Sequence, residues 1–368
     1  MLGHKYREAS NAEGTRRVKK QKILHMVAGA GVGGAEMFSL DAIKALHDEG
    51  LVEQHVICRD YDHYRKAFED RGIGYDCVKY NHWERFTKKT DHLIRNRIET
   101  FQPDMIHSWM GRASSFVPAN LDIPTLGWFG GYYDLKRYKN CQYFAGVTRD
   151  IHRHLVEKSG TPDKCFVLHT FGTLEEDTPV TRAEFDIPDG APLILLLSRM
   201  HWKKGVDTLL EALKPLEGYY ALLAGSGPEI EKYQKMAQDL GVAERVRFLG
   251  WRDDRQALLN IADICVLPSR YEPFGTVIAE SWYTGVPLVA AKAAGAKQYV
   301  THDQDGLLCE IDDVDGLSRQ LQRAGEDKKL RKHLVKKGEA TYNALFSKQV
   351  VTQEFLKTYQ DILAENKG

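Results

Sequence analysis

The chain has 368 residues, 43% of them hydrophobic and 28% charged, the make-up of a globular protein long enough for two cores. Its 51 lysines and arginines balance 51 aspartates and glutamates, so no global field recruits nucleic acid. No apolar run approaches the roughly 18–20 residues needed to cross a bilayer, and six scattered cysteines without a C-x-x-C pair exclude a disulfide framework or zinc-finger spacing and predict reduced thiols in a cytoplasmic protein.

Residues 1–21 are basic and carry no apolar h-region, which predicts a flexible basic leader rather than a secretory signal. "KILHMVAG" (22–29) is a short apolar run ending at glycines, the pattern of a buried parallel strand. "AEMFSLDAIKALHDEG" (35–50) has helical spacing and a closing Gly50. "QHVICRD" (54–60) predicts the next strand. "FTKKTDHLIRNRIETFQPD" places Phe86, Leu93, Ile94, Ile98 and Phe101 on one helical stripe. "DMIHSW" (104–109), "IPTLGWFG" and "YFAGVT" continue as strands. The polar, proline-bearing segment at 173–190 predicts a linker. The alternation then restarts with "PLILLLSR" (192–199) and runs through "YYALLAG" (219–225), "VRFLG" (246–250), "ICVLP" (264–268), "PLVAA" (287–291) and "GLLCE" (306–310). A last helix near 349–364 has Val350, Phe355, Leu356, Tyr359 and Leu363 as anchors.

Strand, glycine-containing turn and helix recur in both halves, which predicts an α/β protein of two Rossmann-like, doubly wound parallel-sheet domains facing across a cleft. The expected division is an N-terminal domain over 22–172, the linker, a C-terminal domain over 191–346, and a helix over 347–368 returning to the first domain.

The stretch "YEPFGTVIAE" (271–280) carries the most chemistry. Gly275 permits a tight turn and exposes backbone N–H groups. The helix expected from about Thr276 aims its N-terminus at the cleft as an anion site. Glu280, one turn in, can accept two hydrogen bonds from a vicinal diol such as a ribose. Glu272, before the turn, can do the same for a sugar ring. A phosphate between two diols is a nucleotide-diphosphate sugar.

"EPFGTVIAE" also resembles the E-x7-E signature of the retaining GT-B glycosyltransferases of family 4. "SRMHWKKGVDTLLEAL" resembles that family's Arg-x4-Lys-Gly segment, "VRFLGW" its base-holding strand, "AGVGGAEMFSLDAIKAL" its N-terminal glycine loop and "DQDGLLCEIDDVDGL" its closing segment. The resemblance covers about 22–345. It implies that Arg199 and Lys204 clamp the donor diphosphate, a guanidinium fork and a point charge aimed at the leaving group. It implies that backbone amides of Phe274, Gly275, Thr276 and Val277 cradle phosphate and sugar. Glu280 would hold the ribose, Glu272 the donor sugar, and Trp251 and Arg252 would face the base. Gly33 and Gly34 would lie under the phosphate from the other domain. His107, expected at a cleft-facing strand end, would contact acceptor or sugar. The implied mechanism is front-face attack in which the departing phosphate takes the acceptor proton. No cofactor and no metal are implied, because Arg199, Lys204 and a helix dipole stand where a metal would. The acceptor would be a saccharide or a lipid-linked saccharide, as in bacterial surface glycan synthesis. Two departures stand out: Gly130 and Gly131 replace a family histidine, and Gln298 replaces a family glutamate in Ala294-Gly295-Ala296-Lys297-Gln298.

Other readings compete. "GAGVGG" (29–34) matches the dinucleotide fingerprint and, with Asp60 as ribose ligand, would make an NAD(P)-dependent oxidoreductase. A sugar-nucleotide epimerase shares the fold. "DYD" (60–62) mimics a metal-binding D-x-D, and His152 with His154 do not share a helix face. The stretch 83–97 offers Lys88, Lys89, Arg95 and Arg97 beside an apolar stripe. Its plain reading is a solvated helix face, and its sharper one is contact with an anionic membrane surface or a charged acceptor. Residues 1–175 hold 26 of the 51 basic but 22 of the 51 acidic residues, a tilt that suits the sharper reading. "GWFGGYY" supplies aromatics able to stack on sugars.

Overall fold

The computed structural model describes residues 20–29, 34–172, 174 and 177–366. Most of the leader, Gly33 and part of the linker therefore lie outside the described residues. The N-terminal sheet contains β1 (Gln21–Val27), β2 (Val52–Cys58), β3 (Gly74–Cys77), β4 (Met105–Trp109), β5 (Thr125–Phe129), β6 (Tyr143–Gly146) and β7 (Cys165–Val167). Its order is β3-β2-β1-β4-β5-β6-β7, and every pairing is parallel. The C-terminal sheet contains β8 (Leu193–Leu197), β9 (Tyr220–Ala224), β10 (Val246–Gly250), β11 (Ile264–Leu267), β12 (Leu288–Ala291) and β13 (Leu307–Cys309). Its order is β10-β9-β8-β11-β12-β13, again all parallel.

The apolar runs explain the layering. A strand covered by helices on both faces needs apolar side chains at consecutive positions, and all five residues of β8 and all five of β4 are buried. Chain order reverses between β1 and β4 and between β8 and β11. Ligand sites of such sheets lie beyond the carboxyl ends of the strands at these reversals.

The C-terminal helix Lys348–Glu365 joins the halves. Ser347 caps it by accepting from Val350 N at 3.4 Å. It packs on the N-terminal domain, where the Glu354 carboxylate meets His169 Nδ1 at 2.9 Å and Asn366 donates to Tyr143 Oη at 2.7 Å.

Several expectations need correction. The edge strands β3 and β7, four and three residues long, are too short to stand out as apolar runs. The stripe from Phe86 to Phe101 is two helices, His82–Phe86 and Lys89–Phe101, broken where Lys88 adopts φ 54°. Phe86 is 81% exposed and belongs to no core. In "GWFGGYY", Trp128 and Phe129 are core residues, and Tyr133 alone of the aromatics there is exposed. Five cysteines are buried and free, and Cys77 is free but exposed.

His107 is the largest displacement. It is fully buried and stacks on Trp109 at 4.2 Å, with Nδ1 2.7 Å from Tyr359 Oη of the C-terminal helix. It sits two residues below the rim of β4, and the returning helix covers it, so it belongs to the core and lines no part of the cleft described below. Beside it His25 is equally buried, bonded to Gln54 Oε1 at 2.8 Å and accepting from Trp109 Nε1 at 3.2 Å.

Burial lowers the His25 pKa from 6.5 to about 3, and burial with repulsion from His25 holds His107 well below its ordinary value. An unfolded chain binds these protons below about pH 6.5 while the folded chain refuses them. The stabilisation is therefore complete above that pH and is lost as the pH falls toward 3, by about 1.4 kcal/mol per pH unit for His25 alone. Urea midpoints are expected to fall between neutral and mildly acidic pH, and a His25→Gln variant to fall less steeply. Equal slopes would remove this contribution from the account.

Candidate functional site

Most of the residues singled out in the sequence meet at one place. A cavity of about 560 Å³ between the domains is lined from the N-terminal side by Gly34, Glu36, Trp128 and Thr170. From the C-terminal side it is lined by Arg199, Lys204, Trp251, Glu272, Phe274, Gly275, Thr276 and Val277. A neighbouring cavity of about 370 Å³ shares Gly34, Trp251 and Thr276 and adds Arg252, Arg255 and Glu280. Gly33 lies outside the described residues, and His107 is buried away from both cavities.

The turns after β8 and β11 build this wall. Arg199 is exposed two residues beyond β8. Lys204 is brought back by a turn held from behind. Gly205 has φ 65° and packs so closely on Pro268 that a Cβ there would lie 2.0 Å from the Pro268 carbonyl oxygen. Arg270 donates to Trp202 O at 2.6 Å and clasps Asp207 at 2.8 and 2.9 Å. Lys204 Nζ then meets Glu272 Oε2 at 2.5 Å, with both side chains mostly shielded. Two turns at the sheet reversal are thus tied by an ion pair facing the cleft.

The helix Thr276–Thr284 begins at Gly275, whose φ of 84° lets the chain turn where a side chain would be strained. In the C-terminal domain Asp313 and Asp327 cap the two longest helices, whereas Val206–Ala212, Ile230–Asp239 and Arg255–Ile261 have no side-chain cap. This one has no side-chain cap either. Its first amides remain available to a ligand and carry the positive end of the helix dipole. The Phe274 ring turns inward, 5.2 Å from Phe346 and 5.6 Å from Tyr299, so Phe274 offers the cavity its backbone.

Glu280 is 1% exposed. Its Oε1 accepts from Arg255 Nη1 at 2.5 Å, the Thr276 hydroxyl at the start of the helix also favours the carboxylate, and Oε2 has no partner of good hydrogen-bond geometry among the described residues. Burial raises its pKa above the usual carboxylate value, and the Arg255 guanidinium opposes that rise. A buried carboxylate oxygen left unpaired is costly unless a ligand supplies a donor. Trp251 is 56% exposed, with Nε1 2.8 Å from Asp253 Oδ1, and Arg252 is held by Asp254 at 2.8 Å. The ring face of Trp251 is left open at the seam between the two cavities.

Sequence reasoning missed three participants. Arg255 carries no motif, yet its guanidinium pairs with Glu280 and opposes the effect of burial on that carboxyl. Thr170 Oγ1 and Trp128 Nε1 line the cavity, buried and without hydrogen-bond partners. Thr170 carried no signal, and Trp128 was marked only as one aromatic of the "GWFGGYY" run. At the two departures, Gly130 lines the cavity, and Gln298 lies outside it, its Oε1 accepting from Asp150 N of the other domain at 3.2 Å.

Two facing, doubly wound domains with these switch-point turns have the GT-B architecture. The glycosyl transferases group 1 family model matches residues 177–341. The lipopolysaccharide core biosynthesis glycosyltransferase LpsD of Rhizobium meliloti is 32% identical over 340 residues, covering 92% of this chain and 98% of that one. The chain belongs to this family and is a glycosyltransferase. The same fold is seen in a glycosyltransferase from Rickettsia africae, with TM-score 0.81, 21% identity, and 94% and 99% coverage of the two chains. It is seen again in Anabaena Alr3699/HepE in complex with UDP and glucose, with TM-score 0.78, 19% identity, and 92% and 99% coverage. Membership displaces the nicotinamide reading. Asp60, its expected ribose ligand, is exposed and pairs with Arg65.

The turn at 272–275 leans on Gly295, whose N–H donates to Glu272 O at 2.9 Å and whose Cβ would fall 1.9 Å from Phe274 O. Gly295→Ala is expected to cost about 1–3 kcal/mol through overpacking. Gly34→Ala, with nothing within 4 Å of the added methyl, should leave melting unchanged. Thermal melting of both variants checks this, and equal melting temperatures would show that the turn yields freely.

Proposed function

We propose that the chain transfers a sugar from a nucleotide-diphosphate sugar to an acceptor hydroxyl, with retention of anomeric configuration and without a metal, during synthesis of a bacterial surface glycan. The observation that carries the reading is the unpaired Oε2 of buried Glu280, one turn into an uncapped helix beside Arg199 and Lys204. A ribose diol satisfies that oxygen, and a diphosphate satisfies the helix amides and the two cations. The surface-glycan context is supported by LpsD, whose name places it in lipopolysaccharide core synthesis. The nucleotide is supported by the UDP in the Anabaena neighbour.

In this reading the donor base lies against Trp251 and Arg252, and the diphosphate lies on Arg199, Lys204 and the amides of 274–277. Gly34 faces the donor from the first domain. Donor entry draws Lys204 from Glu272 to the phosphate and frees Glu272 for hydroxyls of the sugar. The bond from the anomeric carbon to the β-phosphate oxygen breaks as negative charge grows on that phosphate, where Arg199 and Lys204 stabilise it. The acceptor oxygen attacks the same face, and its proton passes to the departing phosphate oxygen. The cations and the helix dipole meet the charge that a metal would otherwise meet. A saccharide or lipid-linked saccharide approaches from the N-terminal side. No helix among the described residues is long and apolar enough to cross a membrane, so a lipid-linked acceptor would be met at a membrane surface.

Thermal shift against nucleoside diphosphates, their sugars, NAD and NADP, with chelator present, is the first test. One nucleoside diphosphate at a hundredfold its Kd should add about 2.7 kcal/mol. A rise with NAD or NADP alone overturns the proposal. Glu280→Ala should weaken nucleotide binding roughly 10- to 100-fold, and lowering the pH should weaken it in the wild type as Glu280 takes up a proton. Lys204→Ala should slow turnover about 10²- to 10³-fold. Glu272→Gln, which removes the competitor for Lys204, should bind nucleoside diphosphate at least as tightly while transfer slows. Proton NMR of the product's anomeric centre tests retention.

A further inference from the structure

The N-terminal domain has a second concavity that the donor site does not use. It holds about 480 Å³ and is lined by Arg59, Arg85, Arg112, Lys136, Arg137 and Lys139, with no aspartate or glutamate in its lining. Neighbouring cations on the same domain are neutralised: Arg95 pairs with Asp91, and Arg97 with Asp76. Those of the concavity are not. Arg59 donates to Lys79 O at 3.1 Å, and Arg85 donates to Ser115 O and Oγ at 3.0 and 2.7 Å while lying 4.3 Å over the Phe116 ring. Lys136 has Asp134 at 3.9 Å, a loose and exposed pair. Arg112, Arg137 and Lys139 have no ion pair among the described residues. The nearest internal carboxylate, Glu84, is turned inward, where its Oε2 accepts from Lys79 N, Tyr80 N and Thr90 Oγ1.

Six like charges gathered around one hollow repel one another and focus a positive potential in it. Guanidinium forks match phosphate and carboxylate. Behind them Tyr80 and Phe116 pack edge to face at 5.2 Å, and Arg85 lies over the Phe116 ring, so the aromatics back the guanidinium and hold it in place. Tyr80 is held at φ 49° with its hydroxyl on Ile57 O. The hollow also has a direction. Arg112, Lys136 and Arg137 are shared with an adjoining cavity of about 530 Å³ that reaches Gly29 and Glu36. Glu36 in turn lines the interdomain cavity. Shared lining residues thus set the cationic hollow, this adjoining cavity and the interdomain cavity side by side on the N-terminal domain.

We propose that this hollow binds a phosphate- or carboxylate-bearing part of the acceptor saccharide, several sugar units from the hydroxyl that is glycosylated. Its assignment to the acceptor rests on the transferase reading above, and the presence of an anion site does not. Trp83 and Phe86, 71% and 81% exposed on the adjoining helix, raise the rival of a flat anionic membrane, which the same experiment separates.

The test uses the whole chain and four probes: trigalacturonate, glucose 6-phosphate, neutral maltotriose, and vesicles of phosphatidylcholine with or without phosphatidylglycerol. The variant is Arg112→Ala with Lys139→Ala, two exposed and unpaired cations, checked by melting temperature. Calorimetry is expected to show binding of the anionic saccharides, none of maltotriose, affinity that falls with added salt, and roughly tenfold or greater weakening in the variant. The variant should keep the wild-type shift with nucleoside diphosphate. Equal affinities in variant and wild type overturn the proposal, as does equal binding of maltotriose. Binding to phosphatidylglycerol vesicles alone, lost in the variant, also overturns it and makes the hollow a membrane contact. Absence of any nucleotide shift sinks the donor reading and leaves the anion site standing on its own titration.

Discussion

The packing around Phe346 is the constraint on which the cleft depends. The ring is fully buried between the last two helices. It lies 5.4 Å from His169 of the N-terminal domain, 5.2 Å from Phe274 in the cleft turn, 5.0 Å from Tyr299 and 6.0 Å from Trp282. Burying such a ring is worth about 1.5–3 kcal/mol, and edge-to-face neighbours add to it. One side chain thus registers the cleft turn against the other domain. The helix Lys328–Leu345 reaches this point by lying against Thr276–Thr284, where Gly338 leaves room for the Trp282 indole. The following helix then carries the chain onto the N-terminal sheet.

Close backbone contact is the second theme of the site. Gly205 against Pro268, Gly225 against Ser198 and Gly295 against Phe274 all bring main chains nearer than a Cβ permits. Such contacts fix the wall by shape, the Arg270–Asp207 pair adding to them at the Lys204 turn, and leave side chains free to face the cavity. The close contacts themselves do not depend on ionic strength or pH. The charges in front of it, Lys204, Glu272, Arg255 and Glu280, can then respond to both.

The parallel sheets were legible because strands buried on both faces must be apolar without interruption, and "PLILLLSR" and "KILHMVAG" are. The edge strands at Gly74 and Cys165 were not, since runs of four and three residues are too short to display a pattern. Phe86 misled because the helical period runs on across the break at Thr87 and Lys88 that separates its helix from the next. The grouping of Arg199, Lys204, Glu272 and Glu280 was legible because each follows a strand at a place the topology sends to the same edge. His107 shows the limit of that argument: two residues of depth separate a cleft residue from a core residue, and only the returning C-terminal helix decides which it is. Arg255 was invisible because its partner lies on another helix.

Gln298 carries one further consequence. Its amide joins Ala294–Tyr299 to the first turn of the helix Arg149–Ser159 in the other domain. A glutamate there would set a negative charge beside that of Asp150. The amide makes the same bond from a neutral atom, next to a carboxylate already engaged by Tyr132 and Arg153. This joint is therefore electrically silent. Ionic strength leaves this contact between the domains untouched.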